Sequence, residues 1–239
     1  MYNIYLPLED LLPNQLVKTD SIKSHHLIHV LKVKQNDRFR IFNGHGQRTE
    51  ASLEKINRNH CQLRISPDEV KKVPRAANRL FLYFSLVKKK TLPAILRQAV
   101  ESGVNELIPV VSENSVLPPI AFEGKKTRWQ KIIISAAEQS GRCYLPHLHS
   151  PLHFTEIFQK TSNLNNKFIF TLKNQQANPR PKQGDSALLV GPEGGFTKAE
   201  INTALDEGFF ALNLGKYTLR ADTACLAAVI KFQTLEQLE

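Results

Sequence analysis

Polar and apolar side chains alternate through the early part of the chain, a pattern typical of half-buried β-strands. The alternation is clear over 37–43, 47–56 and 61–65, with an Asn-Gly pair after the first segment and a polar turn at 57–59. Residues 24–32 instead place their apolar side chains at helical spacing. The pattern therefore predicts a small β-rich domain, with a barrel as the candidate architecture.

The pattern changes after a polar, basic segment with two prolines at 67–78, which predicts a linker. Short apolar runs then predict strands at 80–87, 107–111, 168–172, 187–190 and 209–214. Helical patterns predict helices from Thr91 to Gly103, around Trp129, from Thr197 to near Gly208, and from about Thr223 to near the end. Strands that alternate with helices predict a mostly parallel sheet covered on both faces.

The composition adds a strong positive charge. The 239 residues include 32 Lys and Arg against 22 Asp and Glu, a net charge of +10. A surplus of this size favours a polyanionic partner, most often nucleic acid, although a role in solubility alone explains it too. Basic residues cluster at 71–79, 88–90 and 125–131, which makes an RNA or DNA surface a better expectation than a membrane surface.

Several classes of protein do not fit the sequence. No apolar run approaches the roughly 20 residues of a transmembrane helix, and the first residues lack the pattern of a signal peptide. Three cysteines, Cys61, Cys143 and Cys225, are far apart and odd in number, which argues against a disulfide framework and against structural zinc. We therefore expect a cytoplasmic protein without a metal and without a membrane partner.

Two glycine-bearing loops carry the candidate chemistry. Leu-Leu-Val-Gly-Pro-Glu-Gly-Gly-Phe occupies 188–196, and Leu-Gly-Lys-Tyr-Thr-Leu-Arg-Ala-Asp-Thr-Ala occupies 214–224. Each follows an apolar run and precedes a helical pattern, which predicts strand-to-helix turns at the ligand-binding edge of a parallel sheet. Neither a P-loop nor a dinucleotide fingerprint is present. Glu193 would repel a phosphate, so a neutral or cationic ligand fits better, although local pattern alone equally fits plain turns.

Read together, the loops resemble a known family. Gly-Pro-Glu-Gly-Gly-Phe-Thr-x-x-Glu, followed by Leu-Gly-x-x-x-Leu-Arg-x-Asp-Thr-Ala, resembles the SPOUT methyltransferases. More closely, it is similar to the enzymes that methylate N3 of a uridine in bacterial 16S ribosomal RNA, the RsmE family. Residues 25–31, 101–104 and 136–142 also resemble segments of that family.

This resemblance implies an α/β fold in two domains. A PUA-like RNA-binding β-barrel would occupy 1–72, and a SPOUT methyltransferase domain with a C-terminal deep trefoil knot would occupy 73–239, an exception to the rule that chains are not knotted. S-adenosylmethionine would lie in the knot, and the protein would work as a homodimer through the knot domain. The implied cofactor contacts are Leu172, Gly191, Glu193, Gly194, Gly195, Leu214, Gly215, Leu219, Thr223 and Ala224.

The resemblance also implies Arg220 and Asp222 as catalytic residues. Arg220 would stabilise negative charge on a uracil carbonyl oxygen, since its guanidinium is always charged. Asp222 would orient Arg220 or accept the N3 proton, and orientation is favoured because a carboxylate beside an arginine is a weak base. The alternative is an ordinary ion pair at a helix start, with Asp222 as N-cap. The family usually has Glu at this position, which makes proton transfer the less secure role.

The implied partner is the 16S ribosomal RNA of the small ribosomal subunit. The candidate RNA contacts are His26, Lys32, Lys88, Gln139 and Arg142. Gln139 and Arg142 fit a polar helix terminus or a dimer contact equally well, and His26 fits a structural role slightly better. Two alternative functions remain at this point: a catalytically silent RNA-binding or ribosome-assembly protein, and a knotted methyltransferase acting on transfer RNA.

Overall fold

A computed structural model describes residues 2–57, 60–172 and 180–237. The chain forms two compact units, the first comprising residues 1–75 and 137–145, and the second comprising residues 76–136 and 146–239. Residues 137–145, which the sequence placed in the second domain, thus group with the first unit.

The first unit is built from short strands, as the alternating pattern predicts. Its strands are β1 (Asn3–Tyr5), β2 (Leu16–Lys18), β3 (Arg38–Phe42), β4 (Gln47–Ile56), β5 (Cys61–Ile65) and β6 (Lys71–Lys72). The strands predicted at 37–43, 47–56 and 61–65 are confirmed. Residues 58 and 59 of the predicted polar turn lie outside the described residues.

The helical segment of the first unit differs from its predicted bounds of 24–32. Helix α1 spans Ser21–His25 and continues as a π-helical turn over His26–Val30. It begins early because the Asp20 carboxylate accepts a hydrogen bond from the Lys23 backbone N–H at 2.7 Å, which caps the first turn.

The strands of the first unit pair in the order β1-β3-β4-β5-β2, with β6 beside β4. No ladder joins β1 to β2 among the described residues, so the hydrogen-bonded sheet stays open where a barrel was expected. The prediction of a linker over 67–78 is wrong for its middle, because β6 pairs there with β4. Its two lysines are both exposed, so this charged edge strand has no apolar alternation to reveal it.

The second unit alternates strands and helices. Its strands are β7 (Leu80–Ser85), β8 (Glu106–Val111), β9 (His147–Leu148), β10 (Leu152–His153), β11 (Asn166–Phe170), β12 (Ser186–Val190) and β13 (Phe210–Leu212). The helices are α2 (Leu92–Glu101), α3 (Pro119–Glu123), α4 (Lys126–Ser140, whose last residues belong to the first unit), α5 (Glu156–Thr161), α6 (Lys198–Asp206) and α7 (Ala221–Gln237).

The sheet of the second unit is parallel throughout its described pairings, in the order β10-β8-β7-β12-β11-β13 with β9 beside β8. Every residue of β12 is buried, which explains why the strand reads as a continuous run rather than an alternation. The predicted parallel sheet and each of the strands and helices predicted after residue 78 are confirmed. No helix within the described ranges is both long and apolar enough to cross a membrane.

Candidate active site

A cavity of about 300 Å³ lies beyond the carboxyl ends of the adjacent strands β11, β12 and β13. Ligands of parallel α/β proteins bind at this edge of the sheet. The structure brings to the cavity wall nine of the ten residues expected to contact a cofactor: Leu172, Gly191, Glu193, Gly194, Gly195, Leu214, Gly215, Leu219 and Ala224. The tenth, Thr223, is exposed and does not line the cavity, since neighbouring helix residues point about 100° apart.

The loop after β12 forms one wall, and a close internal approach determines its shape. A Cβ at Gly191 would stand 3.2 Å from the ring of Phe196, so any larger residue there requires that ring to shift by a few tenths of an ångström. The Thr197 side chain then accepts a hydrogen bond from the Glu200 N–H, and the Glu200 carboxylate accepts one from the Thr197 N–H at 2.8 Å. This predicted capping box is confirmed, and it fixes the start of α6 directly behind the loop.

A second loop, after β8, holds the same wall in place. The Glu200 carboxylate also accepts a hydrogen bond from the Glu113 backbone N–H at 2.9 Å. The Asn114 side-chain amide donates to the Gly195 carbonyl at 3.0 Å, and Asn114 lies where a Cβ on Gly194 would meet it at 3.2 Å. Sequence reasoning did not place these residues at the site, because only tertiary contact links them to it.

The loop after β13 forms the opposite wall and depends on Asn213. The side-chain NH2 group of Asn213 donates a hydrogen bond to the Leu172 backbone carbonyl at 2.8 Å, and the side-chain oxygen of Asn213 accepts one from the Gly215 N–H. Gly215 has φ of +134°, a conformation that strongly favours glycine, and a Cβ there would meet no atom within 4 Å. Asn213 thus joins the β11 and β13 walls. A local signal existed, since Asn readily bonds the backbone two residues on.

The lining suits a largely apolar ligand with a positive centre. Apolar side chains such as Val190, Phe196 and Ile201 line it together with exposed backbone of the glycine loops. Glu193 and Lys198 are the charged side chains among the described lining residues. The Glu193 carboxylate favours a cation such as a sulfonium, and the Lys198 ammonium favours a carboxylate such as that of a methionine moiety. The glycine backbone offers hydrogen-bonding groups to an adenine ring. The residues present therefore fit S-adenosylmethionine.

Arg220 and Asp222 stand at the start of α7 and do not line the cavity. Arg220 is exposed, directly follows the lining residue Leu219, and its carbonyl accepts the Ala224 N–H at 2.7 Å. Asp222 lies within the first turn of α7 rather than at the N-cap, and among the described residues no salt bridge joins it to Arg220. One Asp222 oxygen is buried with no hydrogen-bond partner in the described chain.

Cys225 lies one turn further along α7, where it is fully buried. Burial raises the pKa of its thiol, and the negative charge of Asp222 raises it further. The thiol is therefore protonated at neutral pH and belongs to the core.

The five candidate RNA contacts are divided between the two units. His26, Lys32, Gln139 and Arg142 lie in the first unit, and Lys88 is exposed in the β7–α2 loop of the second. Lys32 is exposed, whereas burial of Arg142 lowers its pKa to about 10, which leaves it charged at neutral pH. In the described part of the chain, no three His, Cys, Asp or Glu side chains come together as metal ligands.

Comparison with known proteins defines the class. Residues 74–233 match the model of an RNA methyltransferase domain, and residues 23–66 match the model of an RNA methyltransferase PUA domain. The chain is 32% identical to the solved structure of ribosomal RNA small subunit methyltransferase E from Neisseria gonorrhoeae bound to S-adenosyl methionine, over 98% of both chains, with a TM-score of 0.88. It is 28% identical to a methyltransferase from Legionella pneumophila in complex with the same cofactor, over 98% and 97%, with a TM-score of 0.89.

A curated relative extends the agreement. Ribosomal RNA small subunit methyltransferase E of Synechocystis is 29% identical over 93% of this chain and 76% of its own length. This chain therefore belongs to the RNA methyltransferase family and, within it, to the ribosomal RNA small subunit methyltransferase E proteins.

Proposed function

We propose that this S-adenosylmethionine-dependent ribosomal RNA methyltransferase modifies N3 of a specific uridine in bacterial 16S ribosomal RNA. The observation that carries the proposal is the cavity beyond β11, β12 and β13, where both glycine loops of the family motif form facing walls. Solved relatives that match nearly the whole chain hold S-adenosylmethionine, which supports the same cofactor here.

The reaction is an in-line displacement at a methyl carbon. The uridine N3 forms a bond to the methyl group, the bond from carbon to the sulfonium sulfur breaks, and S-adenosylhomocysteine leaves with the sulfur electron pair. The N3 proton departs to a base before or during attack. Because the methyl donor is already activated, orientation of the two reactants supplies much of the rate.

Arg220 is our candidate for stabilising the uracil anion. Loss of the N3 proton places negative charge on the uracil carbonyl oxygens, and a guanidinium, which is always charged, donates a hydrogen bond to one of these oxygens. Its exposure next to the lining residue Leu219 leaves it accessible to an incoming base. Asp222, which forms no salt bridge with Arg220 among the described residues, orients the arginine only when substrate is bound, or accepts the proton.

The direct test is mass-spectrometric mapping of N3-methyluridine in 16S ribosomal RNA from cells with and without the gene. We expect one uridine to lose its methyl group in the deletion strain and to regain it with the wild-type gene. An unchanged methylation map would reject the proposal. Calorimetry on the purified protein should show S-adenosylmethionine binding, and its absence would leave a catalytically silent RNA-binding protein as the remaining reading.

We further infer that the second unit carries a deep trefoil knot and forms homodimers in the cytoplasm, where its proposed substrate is made. The packing of α7 against α2 and β12 is in keeping with a C-terminal segment that passes behind the cofactor loops.

For the homodimer, apolar surface for a second copy is provided by four exposed side chains, Leu172, Phe210, Tyr217 and Ile230. Sedimentation analysis tests the dimer, and a monomer at micromolar concentration would reject it.

A further inference from the structure

A second cavity, of about 200 Å³, lies wholly within the first unit. One side is formed by the strands, with Asn3 of β1, Arg40 of β3 and Arg48 of β4. The other side is formed by the segment that begins at the end of α4, with Gln139 and Gly141. Its volume is below the roughly 300 Å³ of sites for free small molecules, so it suits one unit of a longer ligand.

The strand side of this cavity carries two arginine side chains that form no salt bridge among the described residues. Arg40 and Arg48 are both exposed, although Glu50 pairs across from Arg40. Lys71 pairs across from Arg48 on the next strand and adds to the same basic face. Exposed guanidinium groups that form no salt bridge favour a phosphate, which accepts two parallel hydrogen bonds from a guanidinium.

The acidic group at the other side is already neutralised. The Glu138 carboxylate accepts hydrogen bonds from the Tyr5 N–H at 2.9 Å and from the Lys23 ammonium at 2.8 Å. The Asn3 amide donates to the Glu138 carbonyl at 3.1 Å, which ties α4 to β1. The Gln139 side-chain amide lines the cavity and carries both a donor and an acceptor, which suits the edge of a nucleobase rather than a bare anion.

We propose that this first-unit cavity binds one unpaired nucleotide of the RNA substrate, with Arg40 and Arg48 on its phosphate and the residues at the end of α4 beside its base. The proposal rests on the proposed function for the identity of the RNA. It assigns the first unit a defined subsite that selects single-stranded RNA, whose splayed bases can enter a pocket, over a regular duplex.

The test compares arginines of one strand face. Arg40→Gln and Arg48→Gln each remove a cavity charge, whereas Arg38→Gln removes an exposed charge from the same face of β3 outside the cavity lining. Binding of transcribed 16S ribosomal RNA is measured by filter retention across salt concentrations. We expect each cavity variant to weaken binding about tenfold and to lower the salt slope by about 0.7, the value for one phosphate contact on a single strand. Arg38→Gln should change affinity less than about threefold, because an exposed charge that does not contact the phosphate directly is screened by salt.

A charge-neutral variant makes the test independent of electrostatics. Gln139→Trp fills the cavity mouth, and we expect it to weaken RNA binding about tenfold with no change in salt slope. Equal effects of Arg38→Gln and Arg40→Gln, or wild-type affinity in Gln139→Trp, would overturn the cavity proposal. These outcomes are separable from the proposed function, because S-adenosylmethionine affinity of all four variants, measured by calorimetry, depends on the second unit alone. A wild-type protein that binds RNA through Arg40 and Arg48 but leaves uridine N3 unmethylated would reject the function and keep the subsite.

Discussion

The ammonium group of Lys231 donates a hydrogen bond to the backbone carbonyl of Asn213 at 2.6 Å. Lys231 lies on α7, whereas Asn213 directly follows β13 and connects the Leu172 carbonyl to the Gly215 N–H. Helix α7 therefore fixes the position of Asn213, which in turn connects the β11 and β13 walls of the cofactor cavity. The positions of the cavity walls thus depend on α7, although Ala224 is the only lining residue that this helix contributes among those described.

Asn213→Ala should weaken S-adenosylmethionine binding. The substitution removes one hydrogen bond between the walls and one within the loop after β13. Each contributes about 1 kcal/mol, so we expect a loss of about 30-fold in affinity by calorimetry. Asn165→Ala, which removes an exposed amide away from the cavity, is the matched control and should bind normally. Wild-type affinity in Asn213→Ala would mean that the walls keep their positions without this connection.

Gly215→Ala should abolish detectable cofactor binding. Its φ of +134° disfavours any side chain, so the loop must move from its position at the cavity wall. Gly103→Ala introduces a comparable strain, at φ of +92°, outside the cavity. We expect both variants to lose about 1 kcal/mol or more of folding free energy in urea titrations, whereas only Gly215→Ala loses binding. If both bind equally well, the conformation at Gly215 is not what shapes the site.

Arg220→Ala should separate binding from chemistry. Because Arg220 does not line the cavity, S-adenosylmethionine affinity should stay within about twofold, whereas methyl transfer to 16S ribosomal RNA should fall by about 100-fold or more, the loss typical of one charge-stabilising donor. Arg220→Lys keeps the charge but not the planar fork, and we expect an intermediate rate. Arg97→Ala removes an exposed arginine of α2 and serves as control. Unchanged turnover in Arg220→Ala would exclude the arginine from catalysis.

Glu200→Ala should destabilise the second unit. Its carboxylate accepts hydrogen bonds from the Thr197 and Glu113 backbone N–H groups, and both donors lose their partner. We expect a cost of about 2 kcal/mol, or a fall in Tm of about 4–8 °C for a chain of this length. Glu207→Ala, at the exposed end of the same helix, should shift Tm by less than about 2 °C, roughly the limit for surface changes. Equal Tm values for the two variants would contradict this role.

Stability should fall as the pH rises above the ordinary thiol pKa of 9.0. Burial raises the pKa of Cys225 in the folded protein, so above this pH the unfolded chain releases a proton that the folded chain retains. The unfolding free energy then decreases by up to about 1.4 kcal/mol per pH unit from this one group. Urea titrations between pH 7 and 10 measure the slope, and Cys225→Ala should make it shallower. A slope that is the same in Cys225→Ala would assign the effect to another group that titrates in this range, such as Cys61, whose pKa burial also raises.

The sequence alone determined the order of the longer elements and the residues of both glycine loops. Periodicity sufficed for β4, β5 and β12, because burial on one or both faces of a strand leaves a direct trace in side-chain polarity. The family resemblance then indicated ten residues, nine of which line one cavity. The sequence could not reveal elements that leave no period in side-chain polarity. The two-residue strands β6, β9 and β10 are too short to show a period.

Only the tertiary structure decided what holds the site together. Glu113 and Asn114 form hydrogen bonds to Glu200 and Gly195, and Asn213 donates one to the Leu172 carbonyl. These partners are distant in sequence, and no local pattern encodes such contacts. It also decided that residues 137–145 group with the first unit, where they close a cavity beside Arg40. Local side-chain pattern reports burial and propensity, whereas the pairing of distant backbone groups exists only once the chain has folded.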